Sequence, residues 1–124
     1  MKKLTSMILS IGLLSSLVLA GCNSADSKVS EGVNNMLDTT GQLSKAINSG
    51  DQAKVKEVGP KLEDQWSSFE DDVKKDDKEL YEKIEKYLDP TIAGSQAATL
   101  DKEALGTLNS QLTDALKELE GKTE

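Results

Sequence analysis

Two glutamates and two aromatic residues with hydrogen-bonding groups recur at helical spacing in the middle of the chain. Glu70 follows Trp66 by four residues, and Glu85 follows Tyr81 by four residues. Residues four apart share one face of an α-helix, so each acid is expected beside its aromatic neighbour. In an antiparallel pair of helices that turns near residue 75 or 76, Trp66 comes level with Glu85, and Glu70 comes level with Tyr81. The spacing therefore predicts that the four side chains meet.

This cluster has two interpretations. Buried indole N–H and phenol O–H groups need hydrogen-bond acceptors, and carboxylates supply them, so the first interpretation is a set of polar contacts that fixes helix register, with Trp66 as a structural partner. The second is a cation site in which Glu70, Tyr81 and Glu85 provide oxygen ligands, which iron(III), calcium and manganese favour. Two carboxylates and one phenol predict at most a weak and open site.

Other catalytic chemistry is largely excluded by composition. The chain has no histidine and a single cysteine, which excludes histidine-dependent triads, imidazole metal sites and imidazole acid–base catalysis. It has no glycine-rich phosphate loop, and its paired aspartates lack the alternating spacing and the glycine of a calcium-binding loop. We therefore expect a protein that is not an enzyme.

The N-terminus has the pattern of an export signal. Lys2 and Lys3 precede an apolar run over residues 7–20, which is shorter than the roughly 20 residues that a spanning helix needs. The run ends in Leu19-Ala20-Gly21-Cys22, which resembles the lipobox of bacterial lipoproteins. The resemblance implies a signal peptide over residues 1–21, cleavage before Cys22, and a diacylglycerol anchor with a further acyl chain such as palmitate. Two acyl chains give stable membrane anchoring.

The expected mature chain is acidic. Without residues 1–21 it carries 13 lysines, no arginine and 22 acidic residues, a net charge of −9. Such a chain has no basic stripe and no guanidinium group for phosphate recognition, so nucleic acid is not an expected partner. The expected location is the extracytoplasmic face of the cell membrane, where residues 22–28 form a lipidated tether and a membrane transporter is a possible partner.

Four segments carry apolar residues at steps of three and four, which is the pattern of amphipathic helices. Such helices can bury their apolar faces only against one another, so the sequence predicts an all-α, up-down four-helix bundle over residues 29–121, with kinks near Pro60 and Pro90. The four apolar stripes are Val29, Val33, Met36, Leu37, Leu43, Ala46 and Ile47; Val55, Val58, Leu62, Trp66, Phe69 and Val73; Leu80, Tyr81, Ile84, Tyr87, Leu88 and Ile92; and Leu105, Leu108, Leu112, Ala115, Leu116 and Leu119.

Helix boundaries are also predicted by individual residues. Gly50 is expected to end the first helix, Gly121 to follow the last one, and Pro90 to kink or end the third. Gly32 and Gly41 are each expected to weaken the first helix by about 1 kcal/mol relative to alanine. The expected N-caps are Asp51, Asp76 with Glu79 as its capping-box partner, and Asp101.

A family resemblance enters at the tryptophan–glutamate cluster. The pattern of Trp66, Glu70 and Val73, followed by Leu80-Tyr81, Ile84-Glu85 and Leu88, is similar to the extracellular helical segment attached to bacterial high-affinity iron permeases. The similarity extends from about residue 55 to residue 119, and it implies an accessory role in iron uptake. This chain departs from that pattern because it has no permease helices. It also lacks the histidine found in the metal motifs of related periplasmic iron-uptake lipoproteins.

Two functional hypotheses follow. The first is a non-enzymatic envelope lipoprotein that assists the uptake of a cation such as iron, by local capture or by docking to a transporter. The alternative is a structural or protein-interaction module of the envelope with no metal role. Convergence of Glu70, Tyr81 and Glu85 on an open cleft favours capture, whereas pairing of each with Trp66 or a lysine such as Lys74 favours the interaction module.

Overall fold

The structure is a computed structural model that describes the backbone of residues 9–123 and the side chains of residues 26–123. All regular secondary structure in that range is α-helical, which confirms the predicted fold class. The helices are α1 (Leu9–Ser49), α2 (Gln52–Val58), α3 (Lys61–Ser67), α4 (Glu70–Asp76), α5 (Lys78–Ser95) and α6 (Lys102–Lys122). None of the helices within the described residues has both the length and the apolar character needed to cross a membrane.

The helices form the four arms of a bundle. The long helix α1, the broken arm α2–α3–α4, helix α5 and helix α6 run alternately up and down, and α1 packs against α6 and against all three helices of the broken arm. Helix α5 packs against α6 and the other side of that arm. The residues of all four predicted stripes are buried or half-buried, so the apolar spacing located the core correctly.

Three of the predicted helix boundaries agree with the structure. Gly50 has a φ of 72° and ends α1, because glycine adopts this left-handed conformation without steric cost. Asp51 accepts a hydrogen bond from the Lys54 amide at 3.1 Å, and Asp101 accepts one from the Ala104 amide at 3.0 Å. Both aspartates are therefore N-caps, as predicted.

The predicted cap at Asp76 is wrong by one residue. Helix α4 ends at Asp76, and Asp77 accepts the hydrogen bond from the Leu80 amide at 3.0 Å. The second oxygen of Asp77 binds the ammonium group of Lys122 at the end of α6. This ion pair holds the pKa of the Asp77 carboxyl below its usual range. The N-cap is thus the aspartate that also forms an ion pair with Lys122, and local sequence does not reveal this contact across the bundle.

The second arm is broken twice, and two other helices continue through a predicted stop. The Gly59-Pro60 break separates α2 from α3, and a second break at Ser68 and Phe69 separates α3 from α4. Phe69 has a φ of −139° and a ψ of 2°, outside the helical range. Pro90 lies inside α5, which continues to Ser95. Helix α6 likewise runs through the predicted stop at Gly121 to Lys122.

Candidate cation and docking site around Trp66

The candidate site lies where three helices meet around one indole ring. Helix α3 carries Trp66, helix α4 begins at Glu70, and helix α5 carries Tyr81 and Glu85. Trp66 is 1% exposed, whereas the other three side chains are half-buried at the surface of the bundle. The break before α4 places Glu70 at the first helical position, where its carboxylate lies close to that of Glu85 on α5. The structure therefore brings all four residues together.

Trp66 is held on three sides. Its Nε1–H donates a hydrogen bond of 2.5 Å to Oε1 of Glu85. Its ring stacks on Tyr81 with centroids 5.7 Å apart and planes inclined by 23°. Phe69 meets the indole edge-on, with centroids 5.3 Å apart and an interplanar angle of 82°. These contacts satisfy the indole donor and leave one oxygen of Glu85 outside the hydrogen bond to Trp66.

The Glu70 and Glu85 carboxylates form a like-charge pair. Burial raises the pKa of the Glu70 carboxyl above its ordinary value, and the negative charges of Glu85, Asp71 and Glu63 raise it further. Among the side chains of residues 26–123, no lysine forms an ion pair with Glu70 or Glu85. No direct ion pair among the described residues therefore offsets the cost of placing these two carboxylates together.

The ammonium group of Lys74 lies over the ring of Tyr81. The Lys74 Nζ lies 5.3 Å from the ring centroid, within the range of a cation–π interaction. Burial raises the pKa of the Tyr81 phenol above its ordinary value, and the charges of Glu85 and Glu70 contribute in the same direction. The phenol therefore carries its proton at neutral pH, and an approaching cation has to compete with that proton for the oxygen.

The donor set suits a hard cation but is small. Within the described part of the chain, no group of three or more cysteine, aspartate or glutamate side chains is arranged to hold a metal ion. Glu70 and Glu85 can contact a cation at the surface without enclosing it, and the charges of both carboxylates act on the Tyr81 phenol. Two of the three residues are also paired within the bundle: Glu85 with Trp66, and Tyr81 with Trp66 and Lys74.

Some parts of this site were not apparent from the sequence. The stripe predicted that Phe69 is buried, but it gave no sign that Phe69 packs against the Trp66 indole. The negative charge contributed by Glu63 and Asp71 depends on how α3 and α4 are turned relative to each other. The side chain of Cys22 lies outside the described residues, so lipidation at that position stays a prediction.

Comparison with known proteins gives one informative match. The chain is 29% identical over 92 residues to the iron uptake system component EfeM of Bacillus subtilis (strain 168). The aligned region covers 74% of this chain and 24% of that protein, so the chain spans about a quarter of the length of the relative. No protein-family model matches the sequence, and no solved structure matches it. The chain is thus a helical bundle with sequence similarity to a component of an iron uptake system.

Proposed function

We propose that this protein is a lipid-anchored, non-enzymatic accessory of iron uptake on the extracytoplasmic face of the membrane. The observation that carries the proposal is the similarity to an iron uptake system component across three-quarters of the chain. The lipobox-like sequence before Cys22 supports export and anchoring. The lack of histidine supports a binding role rather than a catalytic one.

The carboxylate pair supplies a route for local cation capture. Iron(III) favours carboxylate and phenolate oxygen; Glu70 and Glu85 present carboxylates, and the Tyr81 phenol becomes a ligand only where the cation displaces its proton. Burial is the main cause of the raised pKa of Glu70, and repulsion by Glu85 adds to it; a cation placed between the two carboxylates would remove that repulsion. Because few ligands are present and the site is at the surface, capture would be weak and reversible, as delivery to a transporter requires.

The second candidate function is protein docking without metal. Trp66 already binds Glu85 and stacks on Tyr81, and Lys74 covers the Tyr81 ring. These contacts hold the half-buried Tyr81 ring in place at the surface, and tyrosine is one of the residue types that most often anchor a protein partner. In this case the acidic side chains would serve orientation and solubility.

A titration separates the two candidates. The fragment Ser24–Glu124 retains every residue that is buried among residues 26–123, since the buried hydrophobic residues of that range lie between Val29 and Leu119. It is titrated with iron(III) citrate, iron(II), calcium and manganese, following Trp66 fluorescence and heat release. Trp66 is the only tryptophan in the chain, and its Nε1–H binds a carboxylate of the proposed site, so its emission reports on that site.

Capture predicts saturable binding that is lost in Glu70→Gln and Glu85→Gln. Glu79→Gln is the matched control, because Glu79 is exposed on α5. A flat titration of a folded domain removes capture and leaves docking. Cells that lack this protein are grown under iron limitation, and their accumulation of radioactive iron is measured. Accumulation equal to that of the parent cells would contradict any role in iron uptake.

Anchoring needs its own test. Intact-mass measurement of the membrane-extracted protein is expected to show a chain that starts at Cys22 and carries diacylglycerol. Substitution Cys22→Ser should abolish the lipid mass and release the protein from membranes. A chain that keeps residues 1–21, or one cleaved without lipid, would contradict this part of the proposal.

A further inference from the structure

Three parts of the chain meet at one end of the bundle: the first turns of α1 with described side chains, the turn between α4 and α5, and the last turn of α6. Lys28 of α1 forms an ion pair of 3.7 Å with Asp72 of α4. Asp77, at the start of α5, pairs with Lys122 of α6. Asp26 lines the same cavity of about 200 Å³ as Asp77 and Lys122. These residues define the α4–α5 end of the bundle, and α1 enters the bundle there.

The opposite end of the bundle carries the turn between α1 and α2 and the loop between α5 and α6. Nε2 of Gln52, in the first turn of α2, donates a hydrogen bond of 2.7 Å to the Ala98 carbonyl in that loop. Helix α5 runs from one end of the bundle to the other over 18 residues. At 1.5 Å per residue, the two ends therefore lie about 27 Å apart.

The connection between the α4–α5 end and Cys22 is short. Residues 26–28 belong to helix α1, and Lys28 is already paired across the bundle. Between Cys22 and Asp26 lie only Asn23-Ser24-Ala25. The four residue steps from Cys22 to Asp26 span about 6 Å in a helical backbone and at most about 14 Å when fully extended. Either length is well below the distance of about 27 Å between the two ends of the bundle.

The sides of the bundle offer little that binds lipid. Lateral binding needs an apolar or a basic face. The four apolar stripes are buried or half-buried, and the expected mature chain has a net charge of −9. We infer that the short connection to Cys22 holds the α4–α5 end of the bundle against the outer surface of the lipid bilayer, with the opposite end pointing away from it. This orientation depends on the proposed anchoring at Cys22.

The orientation places the Trp66 cluster in the half of the bundle nearer the membrane. On α5, Tyr81 follows Asp77 by four residues and Glu85 follows it by eight, which is about 6 and 12 Å along the helix axis. Glu70 begins α4, which runs towards the same end. A cation released from this cluster enters the water next to the bilayer, where a protein embedded in the same membrane can receive it.

Energy transfer from each end of the bundle to the bilayer surface tests the orientation. Cys22 is the only cysteine and would carry the lipid, so one introduced cysteine can be labelled alone. Lys75→Cys places a donor dye at the α4–α5 end, and Ala98→Cys, the matched control, places it at the opposite end; both positions are exposed. The lipidated full chains are placed in phosphatidylcholine vesicles that contain a headgroup-labelled acceptor lipid.

Transfer from position 75 should exceed transfer from position 98 by about twofold or more, because the ends are about 27 Å apart. An insertion of about 20 glycine and serine residues between Ser24 and Ala25 has a root-mean-square length of about 25 Å. Since this length is close to that of the bundle, the inserted chain should lose the difference between the two positions. Circular dichroism checks that each variant folds.

Equal transfer from the two positions without the insertion, or greater transfer from position 98, would overturn the inferred orientation. A difference that survives the insertion would also overturn it, since the short connection would then not be the cause. Flotation with the vesicles and intact mass are measured on the same samples. A chain without lipid would overturn the anchoring and the orientation together. A lipidated chain that floats but shows equal transfer would overturn the orientation alone.

Discussion

Two glycines on the same helix are predicted to respond oppositely to the same substitution. Gly32 and Gly41 both lie within α1, and replacement by alanine improves helix propensity by about 1 kcal/mol at either position. A Cβ at Gly41 meets nothing within 4 Å. A Cβ at Gly32 would lie 2.3 Å from Cδ1 and 2.4 Å from Cε1 of the Phe69 ring, far inside van der Waals contact.

The magnitude depends on whether the Phe69 ring can move away. Phe69 is 2% exposed, and it packs edge-on against Trp66, which is 1% exposed. The ring therefore has no free space, and overpacking in such a core costs about 1–3 kcal/mol. Because the propensity gain is common to both glycines, it cancels in the comparison. Gly32→Ala should be less stable than Gly41→Ala by about 1–3 kcal/mol.

Relative to the parent chain, Gly41→Ala should raise the free energy of unfolding by up to about 1 kcal/mol. Gly32→Ala should leave it unchanged or lower it by up to about 2 kcal/mol. Urea unfolding followed by far-ultraviolet circular dichroism measures both. Trp66 fluorescence should shift in Gly32→Ala alone, since Phe69 transmits the displacement to the indole. Equal stabilisation by the two substitutions would refute the argument that Gly32 is required by Phe69.

Three further predictions concern the contacts of Glu70, Trp66 and Asp77. Glu70→Gln should raise the urea midpoint at neutral pH and lose this advantage in acid. Folding raises the pKa of Glu70, so the folded state holds the proton more tightly than the unfolded state. Ionisation of Glu70 as the pH rises therefore lowers the free energy of unfolding of the parent chain. Urea midpoints across a pH series measure this, and a pH-independent effect would contradict it. Trp66→Phe removes the donor to Glu85 and should cost about 1.5–3 kcal/mol by circular dichroism, whereas Glu85→Gln keeps an acceptor and should cost less. Asp77→Ala should lower the thermal midpoint and Asp76→Ala should not, because only Asp77 caps α5 and binds Lys122; equal effects would restore the sequence prediction.

The arms of the bundle could be predicted from sequence because apolar spacing is a direct consequence of helical geometry. Val33, Met36 and Leu43 lie on one face of any helix they belong to, and all three are 0% exposed. The pattern fails where tertiary contacts decide between local alternatives. Phe69 belongs to the apolar stripe, yet its backbone leaves the helical range and divides α3 from α4.

At Pro90 the sequence pattern predicts a possible helix end that the structure does not have. Proline removes one backbone hydrogen bond and crowds the preceding turn, so it was expected to kink or end the third helix. Helix α5 continues past Pro90 to Ser95, so the proline does not end the helix, and the kink stays a prediction; Thr91 and Ser95 are buried in the turns that follow. The free energy gained by burying this turn outweighs the cost of a proline inside the helix, and the sequence pattern indicates only that cost.

The candidate site divides in a similar way. Helical spacing is enough to bring Trp66 near Glu85, because level positions in an antiparallel hairpin follow from the position of the turn. Spacing paired Glu70 with Tyr81 instead, and the proximity of Glu70 to Glu85 depends on the break before α4.

The packing around Trp66 connects the acidic pair to the helix that carries the proposed anchor. Phe69 lies against Gly32 of α1, the Trp66 indole lies against Phe69, and Glu85 accepts the indole hydrogen bond. A cation that neutralises Glu70 and Glu85 competes with this hydrogen bond, so binding must change the surroundings of an indole that cannot rotate freely. A docking partner that covers Tyr81 leaves the hydrogen bond intact. Capture therefore predicts a change in Trp66 emission that saturates with the cation and is lost in Glu85→Gln, whereas docking on Tyr81, which stacks on the indole, predicts a change that needs the partner and no cation.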